Sequence, residues 1–284
     1  MGTKSRSPMK QMIYHHDDED GWGSAAAVQI KYPEAQTAQC SYGREPELVK
    51  GYDEVYVLDF SFNAEEMAQL AANNKRFIWI DHHESKIKQI TTNYEGIRDA
   101  SKSACQLSWE YCFPEKEMPL ILQHIADEDI WKFLLKETKS FNKFLSARLD
   151  KGKEIEIIKN IIKTYTSKEY EQAYEQGKNI KRYQDHQVEE QEQRGVLRNI
   201  FGYKAKVYFS NINTSQLGHE ALNRNKNIDM TVIIFLIENT KGELEYKYSL
   251  RSRENGVNVA ELSAEYNGGG HPCAAGFVSK KLIL

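Results

Sequence analysis

Histidine and acidic residues are concentrated near the start of the chain, in the segment YHHDDEDGWGSA at residues 14–25. Two histidines and four carboxylates occupy positions 15–20, and so many charged groups together do not build a hydrophobic core. The same residue types recur at three later points, which are Asp59, the run Asp81, His82 and His83, and the pair Asp127 and Asp129. Carboxylate oxygens and imidazole nitrogens are common protein ligands of divalent cations, so these groups are candidate metal ligands.

The segments between these groups alternate between predicted strands and predicted helices. Four strands are predicted. The first ends within MKQMIYH and the second is a short strand near Ala38, whereas β-branched and aromatic runs predict the other two at residues 54–60 and 76–80. Helices are predicted from Ala25 to Ile30, from Asn63 (which begins a capping box with Glu66), from Ser103 to Tyr111 and from Pro119 to Asp127. This alternation predicts an α/β fold with a parallel doubly wound sheet, in which ligands bind at the carboxyl ends of the strands. The charged groups are therefore expected to meet at one edge of that sheet.

The ligand types narrow the chemistry of this expected site. Carboxylate and imidazole without thiolate favour Mn²⁺, Fe²⁺, Co²⁺ or Zn²⁺ over a structural zinc site built from cysteines. The candidate ligands are too many for one ion, so we expect two ions about 3.5–4 Å apart that share a bridging carboxylate. Such a pair activates water and holds phosphoryl oxygens, which predicts hydrolysis of a phosphate ester or anhydride. An acidic run alone is usually a solvated loop, so the prediction depends on the joint occurrence of these groups.

The rest of the chain predicts two further parts. The metal-binding catalytic domain is expected at residues 9–150. Residues 151–195 are rich in helix formers and predict a helical linker of one long helix or two in series, with a coiled-coil partner as the alternative. Residues 196–284 carry strand patterns at YKAKVYF, DMTVIIFLIE and LEYKYSLRS and a helix pattern at VAELSAEY, which predict a smaller α+β domain.

Composition excludes several classes of function. The net charge of -3 over 284 residues gives no basic field for a long nucleic acid. No run of 18 apolar residues is present, and the first residues, MGTKSRSP, do not read as a secretory signal. The four cysteines are scattered without metal-type spacing, which indicates reduced thiols and a cytoplasmic location.

Three motifs together resemble the DHH phosphoesterase superfamily. They are HDDEDGWGSA, IDHH at residues 80–83, and GGGHPCAAGF near the end of the chain. The pattern is most similar to the compact two-domain branch of nano-RNases and phosphoadenosine-phosphate phosphatases. The resemblance covers nearly the whole chain, and it implies a DHH domain, a helical linker and an accompanying substrate-binding domain.

The resemblance also implies roles for individual residues. The expected metal ligands are His16, Asp18, Asp20, Asp59, His82 and Asp127, of which Asp59 would bridge two ions. His83 would lie against the scissile phosphate, and Asp81 would orient the two histidines. Substrate phosphate would be bound by Arg251 and by the turn formed by Gly268, Gly269, Gly270 and His271.

Four assignments keep an alternative. The spacing between the first histidine and its aspartate is shorter than in many relatives, so His15 is a rival to His16. The fourth motif reads Asp-Glu-Asp-Ile-Trp, so either Asp127 or Asp129 could be the ligand, and Asp127 is favoured. Arg253 is a second candidate beside Arg251. Trp22 and Trp131 flank metal motifs and could stack a nucleobase, although a packing role is the usual one for tryptophan.

The expected function is therefore Mn²⁺-dependent hydrolysis of short single-stranded oligonucleotides to 5′-mononucleotides by a two-metal mechanism. Mg²⁺, Co²⁺ or Zn²⁺ are the alternative ions. The chain lacks the additional nucleic-acid-binding domain of RecJ exonucleases, which argues against processive degradation of long DNA. The alternatives are an exopolyphosphatase or pyrophosphatase, a phosphodiesterase for cyclic dinucleotides, a phosphatase for phosphoadenosine phosphate, and a non-catalytic nucleotide sensor. No membrane partner is expected, and the helical segment could mediate a homodimer.

Overall fold

A computed structural model describes residues 9–41, 45–239 and 241–284 of the chain. The segment MGTKSRSP, for which the sequence predicts no secretory signal, lies outside the described residues. The chain divides into two compact units, Met1–Ile180 and Lys181–Leu284, which are called unit 1 and unit 2 below.

Unit 1 is built on a four-stranded sheet. Its strands are β1 (Gln11–His16), β2 (Gln36–Cys40), β3 (Glu54–Leu58) and β4 (Phe77–Ile80). They lie in the order β2-β1-β3-β4, and every neighbouring pair is parallel. Strands β3 and β4 are buried along their whole length, as expected for a parallel sheet covered on both faces. The carboxyl ends of β1, β3 and β4 therefore lie at one edge of the sheet, directly before the predicted metal ligands.

Helices cover both faces of this sheet. They are α1 (Glu19–Lys31), α2 (Ala64–Asn73), α3 (Glu84–Gln89), α4 (Ala104–Cys112), α5 (Leu120–Asp129) and α6 (Thr138–Ser146). On one face Val57 and Trp79 pack with Met67 of α2. On the other face Tyr56 packs with Leu107 of α4. The predicted parallel doubly wound α/β fold is confirmed, and so is the capping box at Asn63.

The first helix begins at Glu19, about two turns before Ala25, where the sequence predicts its start. The predicted start at Ala25 is therefore wrong. Asp18 caps the helix by accepting a hydrogen bond from the amide of Gly21 at 2.9 Å. A side chain at Gly21 would place its Cβ 2.3 Å from the carbonyl oxygen of His16, so only glycine allows α1 to start against the end of β1. The acidic residues of the opening motif thus lie in the first turn of a helix, on rigid backbone.

Two helices follow in series, α7 (Glu154–Thr164) and α8 (Ser167–Gln193). Ile158 of α7 and Tyr170 and Ala173 of α8 are buried in the core that also contains residues of α5 and α6. The boundary between the units falls inside α8, so the segment predicted as a linker is shared between them. Within the described ranges, no helix is both long and apolar enough to cross a membrane.

Unit 2 contains a six-stranded mixed sheet. Its elements are β5 (Val196–Ile200), β6 (Tyr203–Phe209), α9 (Thr214–Arg224), β7 (Met230–Glu238), β8 (Leu244–Ser252), α10 (Val259–Ala264), β9 (Gly269–His271) and β10 (Ala274–Ser279). The strand order is β5-β6-β7-β8-β10-β9, with β6 and β7 parallel and the other pairs antiparallel. The predicted smaller α+β domain is confirmed.

Candidate metal centre

The first part of the site is formed where β1 ends and α1 begins. His16 is the last residue of β1, and its Nδ1 lies 2.6 Å from Oδ2 of Asp18. Because successive side chains of a strand point to opposite faces, His15 points away from this group. Its Nδ1 faces the carbonyl oxygen of His16 at 2.8 Å, and it lines a separate cavity with Trp22 and Gln39. The structure brings His16 into the cluster and leaves His15 outside it.

Asp20 is held by the start of another helix. Its two carboxylate oxygens accept hydrogen bonds from the backbone amides of Ala104 and Cys105, at 2.7 and 2.9 Å. These are the first residues of α4, where free amides and the helix dipole stabilise negative charge. Asp20 is 2 % exposed, so its position is fixed by buried contacts over 84 residues of sequence separation.

Asp59 lies at the centre of the cluster. Directly after β3 the chain turns through a left-handed conformation at Asp59, with φ of 53°, and the residue is 1 % exposed. Its Oδ1 has no hydrogen-bond partner among the described residues, although Nε2 of His82 lies 3.2 Å away. Its Oδ2 lies 3.7 Å from Nδ1 of His16. One carboxylate therefore faces both the β1 group and the β4 group.

Both carboxylate oxygens of Asp81 accept hydrogen bonds, and those of Oδ1 orient the two histidines after β4. Its Oδ1 accepts from the backbone amides of His82 and His83, at 2.7 and 3.0 Å, and faces Nδ1 of His83 at 2.8 Å. Its Oδ2 accepts from the hydroxyl of Ser61 at 2.5 Å. With Nδ1 of His83 donating to a carboxylate, the other ring nitrogen, Nε2, is directed away from Asp81. Ser61, two residues after Asp59, is a member of the site that no motif in the sequence indicates.

The two acidic residues at the end of α5 have different surroundings. Asp129 Oδ2 lies 3.6 Å from Nε2 of His82, close to Asp20. Asp127 instead accepts hydrogen bonds from the backbone amides of Leu134 and Leu135 and from the hydroxyl of Thr138, at 2.7, 3.0 and 2.6 Å. The preference for Asp127 as a metal ligand does not fit this geometry, because both of its oxygens are occupied by the loop that follows α5.

Three overlapping groups of side chains could each hold an ion. Within each group the potential ligand atoms lie within 4.8 Å of one another. The groups are His16, Asp18 and Asp59; Asp20, His82 and Asp129; and Asp59, His82 and His83. Asp59 and His82 are each shared between two groups, and the carboxylate of Asp59 has two oxygens through which it could bridge a pair of neighbouring ions.

Comparison with known proteins identifies the family. The model of the DHH family, N-terminal domain, matches residues 10–135, and the model of the DHHA1 domain matches residues 202–283. The chain contains a DHH domain followed by a DHHA1 domain. The predicted two-domain DHH architecture is thereby confirmed, and the cluster of candidate metal ligands described above lies in the DHH domain.

Individual relatives are more distant. An uncharacterised protein of Acanthamoeba polyphaga mimivirus is 26% identical over 229 residues, which cover 78% of this chain and 52% of that protein. The chain thus spans about half the length of this relative. A pGpG-specific phosphodiesterase from Vibrio cholerae matches with a TM-score of 0.56 and 15% identity over 95% of this chain and 93% of the other. RecJ of Thermus thermophilus in complex with Mn²⁺ matches with a TM-score of 0.57 and 13% identity over 96% of this chain and 50% of RecJ.

The electrostatics of the DHH domain fit bound cations. Burial and repulsion from Asp20, Asp18 and Asp129 raise the pKa of Asp59 well above its usual range. Burial and repulsion from Asp20 and Asp18 raise the pKa of Asp129 to about 9. The carboxylates of Asp18, Asp20, Asp59 and Asp129 lie close together, with Asp20 and Asp59 buried, and such groups are unstable as anions without positive charge between them. The unpartnered Oδ1 of Asp59, the set of nitrogen and oxygen donors and this repulsion all fit divalent metal ions.

The two neighbouring histidines have different protonation behaviour. Burial lowers the pKa of His82, which keeps its imidazole neutral as a metal ligand must be. Burial also opposes protonation of His83, but the hydrogen bond to Asp81 and nearby carboxylates raise its pKa above the usual value. His83 can therefore hold a proton next to the cluster.

In the DHHA1 domain, two neighbouring arginines make different contacts. Arg251 lies on β8, and Arg253 follows directly after this strand. Arg253 donates to the backbone carbonyls of Leu222, Asn225 and Ile228, so it closes the carboxyl end of α9. Arg251 donates to the hydroxyl of Ser215 at 2.6 Å and to the carbonyl of Leu250 at 2.8 Å. Burial lowers its pKa, and no carboxylate of the described residues lies within 4 Å of its guanidinium.

The glycine-rich motif of the DHHA1 domain is an edge strand, where the sequence analysis expected a turn. Gly269–His271 form β9, which pairs with β10, and the tight turn follows at Pro272 and Cys273. Close approach of β10 excludes a side chain at Gly270, whose φ is 143° and whose Cβ would lie 2.5 Å from a carbonyl oxygen. Gly268 is excluded in the same way, at 2.2 Å. His271 is exposed at the end of the strand.

Proposed function

We propose that the protein is a metal-dependent phosphodiesterase that hydrolyses short oligonucleotides to 5′-mononucleotides with two Mn²⁺ ions. The observation that carries the proposal is Asp59, a buried carboxylate with an unpartnered oxygen that faces two groups of potential ligands. The DHH domain at residues 10–135 supports the reaction class. The names of two proteins of similar fold, a pGpG-specific phosphodiesterase and RecJ with Mn²⁺, favour a nucleotide substrate and this metal.

In this proposal one ion would be held by His16, Asp18 and Asp59, and the other by Asp20, His82 and Asp129 together with Asp59. Asp129 replaces Asp127 in the ligand set for the geometric reason given above. When bound, the two ions would activate the attacking water and stabilise charge on the phosphoryl oxygens.

The remaining chemistry belongs to His83 and Asp81. Asp81 holds the imidazole of His83 by its Nδ1 and fixes the ring orientation, so Nε2 presents a proton toward the reacting phosphate. His83 then donates a hydrogen bond to the phosphate or a proton to the leaving oxygen. Asp81 acts through His83 and is a positioning residue.

For the DHHA1 domain we propose that a phosphate group of the substrate is bound by Arg251, by Gly268 and by the residues of β9, which are Gly269, Gly270 and His271. The support is the half-buried guanidinium of Arg251, which has hydrogen-bonding partners but no carboxylate of the described residues within 4 Å. A guanidinium can bind phosphate through two parallel hydrogen bonds. Arg251→Lys should raise KM for a dinucleotide more than it lowers kcat, and Arg253→Lys should lower stability instead.

The decisive experiment measures mononucleotide release from a 5′-phosphorylated dinucleotide with Mn²⁺, for wild type and Asp59→Asn. Release by the wild type alone supports the proposal. Binding of the dinucleotide without release would favour the nucleotide sensor. Release of phosphate from polyphosphate or pyrophosphate, with no cleavage of the dinucleotide, would favour a phosphoanhydride hydrolase and overturn the oligonucleotide assignment.

A further inference from the structure

The loop after α5 exposes the ring of Trp131 beside the cluster of candidate metal ligands. It begins directly after Asp129, and its Trp131 is 64% exposed. The ring of Trp131 meets that of Phe133 edge to face, with centroids 4.9 Å apart. Two residues of chain span at most about 7 Å, so Trp131 lies next to the cluster that contains Asp129.

The backbone of this loop is strained at both aromatic residues. Trp131 and Phe133 adopt left-handed conformations, with φ of 56° and 49°. Residues with a Cβ adopt this conformation at a cost of the order of 1 kcal/mol, and glycine or asparagine would fit it better. Because the Trp131 ring is exposed, burial of its apolar surface compensates for little of this backbone strain. Such a residue beside a reactive centre indicates a role in binding.

The strained loop is nevertheless held in place. The carboxylate of Asp127 accepts the amides of Leu134 and Leu135, and its carbonyl oxygen accepts those of Lys132 and Phe133. The ammonium of Lys132 donates to the carbonyl of Ser101 at 3.1 Å. The rings therefore lie on an ordered support, which limits the entropy lost when a ligand stacks on them.

Two lysines of α6 lie between this loop and the cluster of candidate metal ligands, Lys139 near the loop and Lys143 near the cluster. Lys139 lies 4.5 Å above the ring of Phe133. Lys143, one turn further along α6, lines a cavity of about 170 Å³ whose other charged lining residues are Asp18, Glu19, Asp20, Glu128 and Asp129. Side chains four apart on a helix are neighbours about 5–6 Å apart, so the aromatic loop and the cavity are one helical turn from each other. Aromatic rings with adjacent cations are the surface that binds single-stranded nucleic acids.

We propose that Trp131 stacks on a nucleobase of the substrate, while Lys143 faces the phosphate that reaches the metal cluster. The inference rests on the proposed function and gives it a base-binding subsite within the DHH domain. It explains how a protein with a net charge of -3 could retain a short oligonucleotide, because stacking contributes affinity that does not depend on a basic surface.

The test compares Trp131→Ala with wild type on a dinucleotide and on two analogues that carry an abasic site at one position or the other. Trp131→Ala should raise KM for the dinucleotide between about 5-fold and 100-fold with little change in kcat or Mn²⁺ content. The difference should disappear for the analogue that lacks the stacked base. Equal KM values for wild type and variant on the dinucleotide, or an increase that persists on both analogues, would overturn the proposal.

Two variants control for damage to the loop. Leu134→Ala changes a side chain of the same loop that is 80% exposed and leaves its backbone hydrogen bond intact, so KM should not change. Trp131→Phe retains an aromatic ring and should keep most of the affinity. A rise in KM for Leu134→Ala equal to that for Trp131→Ala would assign the effect to the loop backbone and refute the subsite.

A binding measurement separates this inference from the proposed function. A dinucleotide with 2-aminopurine bases and a non-hydrolysable linkage should lose fluorescence on binding to wild type, because the fluorophore stacks on indole. Trp131→Ala should abolish this loss and Leu134→Ala should not. If wild type cleaves no dinucleotide, the proposed function fails, yet loss of fluorescence that depends on Trp131 still supports the subsite. Quenching that is equal in wild type and Trp131→Ala overturns it.

Discussion

Asp59 combines near-complete burial, a left-handed backbone and a carboxylate oxygen without a hydrogen-bond donor. Each feature is unfavourable by itself. The conformation is imposed by its neighbours, since the amide of Asp59 donates to the carbonyl of Ile80 at 3.0 Å. The sequence places an aspartate after a strand, but only the turn at that residue directs its carboxylate toward two groups of candidate ligands.

Asp59→Asn should therefore have the most severe effect of any single substitution in the cluster. Changes to groups that merely support a metal ligand cost about 10- to 100-fold in affinity or activity, so loss of a shared ligand should exceed 100-fold in activity. Metal content should fall from two ions to one or none, as measured on the dialysed protein. The purified variant should still show a cooperative thermal transition. Two retained ions in Asp59→Asn would contradict the bridging role.

Asp127 and Asp129 form a matched pair for a second prediction. Asp129→Asn should lose Mn²⁺ and leave the melting temperature of the metal-free protein unchanged or higher, because burial and repulsion already raise the pKa of Asp129. Asp127→Asn should keep Mn²⁺ and lose about 1–3 kcal/mol of stability, because an amide nitrogen cannot accept the hydrogen bonds that hold the loop.

Metal content and denaturant unfolding of the two variants decide between the residues. Loss of metal in Asp127→Asn, with unchanged stability, would restore the assignment that the sequence favours. Equal loss of metal in both variants would mean that the loop and the cluster fold as one unit.

At the scale of elements, a buried chain of hydrogen bonds joins α5, α6 and α8 behind the cluster. The hydroxyl of Thr138 donates to Asp127, so it accepts from Nδ1 of His124 at 3.0 Å. Nε2 of His124 then accepts from the hydroxyl of Tyr174, also at 3.0 Å. Every member is partnered only while His124 is neutral, and burial lowers its pKa to about 4.

This network predicts a pH dependence of stability. The unfolded chain protonates His124 near pH 6.5, whereas the native state does so only near pH 4. Between these values the unfolded state binds more protons, so the contribution of His124 is complete above pH 6.5 and is lost as the pH falls toward 4. The loss should reach about 3 kcal/mol at 1.36 kcal/mol per pKa unit.

Denaturant unfolding of wild type and His124→Gln at several pH values isolates this residue from the carboxylates of the cluster. The difference in unfolding free energy between the two proteins should shift by about 3 kcal/mol between pH 7 and pH 4, against the wild type. A difference that stays constant over this range would show that His124 has an ordinary pKa in the native state.

At the scale of the whole molecule, repulsion among the carboxylates couples stability to metal. Ions that bind only the native protein stabilise it by about 2.7 kcal/mol per site at a concentration of 100 times Kd. For a protein of this size the melting temperature of wild type should rise by roughly 5–10 °C with excess Mn²⁺ and return on chelation. Asp59→Asn should show little or no rise. A rise of equal size in both proteins would place the stabilising ions outside the cluster.

Local patterns in the sequence predict several strands and helices of unit 1. Runs of buried β-branched and aromatic residues predict β3 and β4, and the capping box at Asn63 predicts the start of α2. The motifs also predict the DHH family and the edge of the sheet at which acidic residues and histidines meet. The start of α1 was missed because two glycines within six residues disfavour a helix locally, whereas contact with the end of β1 requires Gly21.

Tertiary structure alone decided between residues of the same type. His15 and His16 differ only by the face of β1 on which they lie. Asp127 and Asp129 lie two apart on α5, and the loop that folds back onto Asp127 leaves Asp129 for the cluster. Residue type and spacing therefore determine that carboxylates and imidazoles gather at this edge. Which of them face a common point depends on contacts between segments distant in sequence, and those contacts are set by packing.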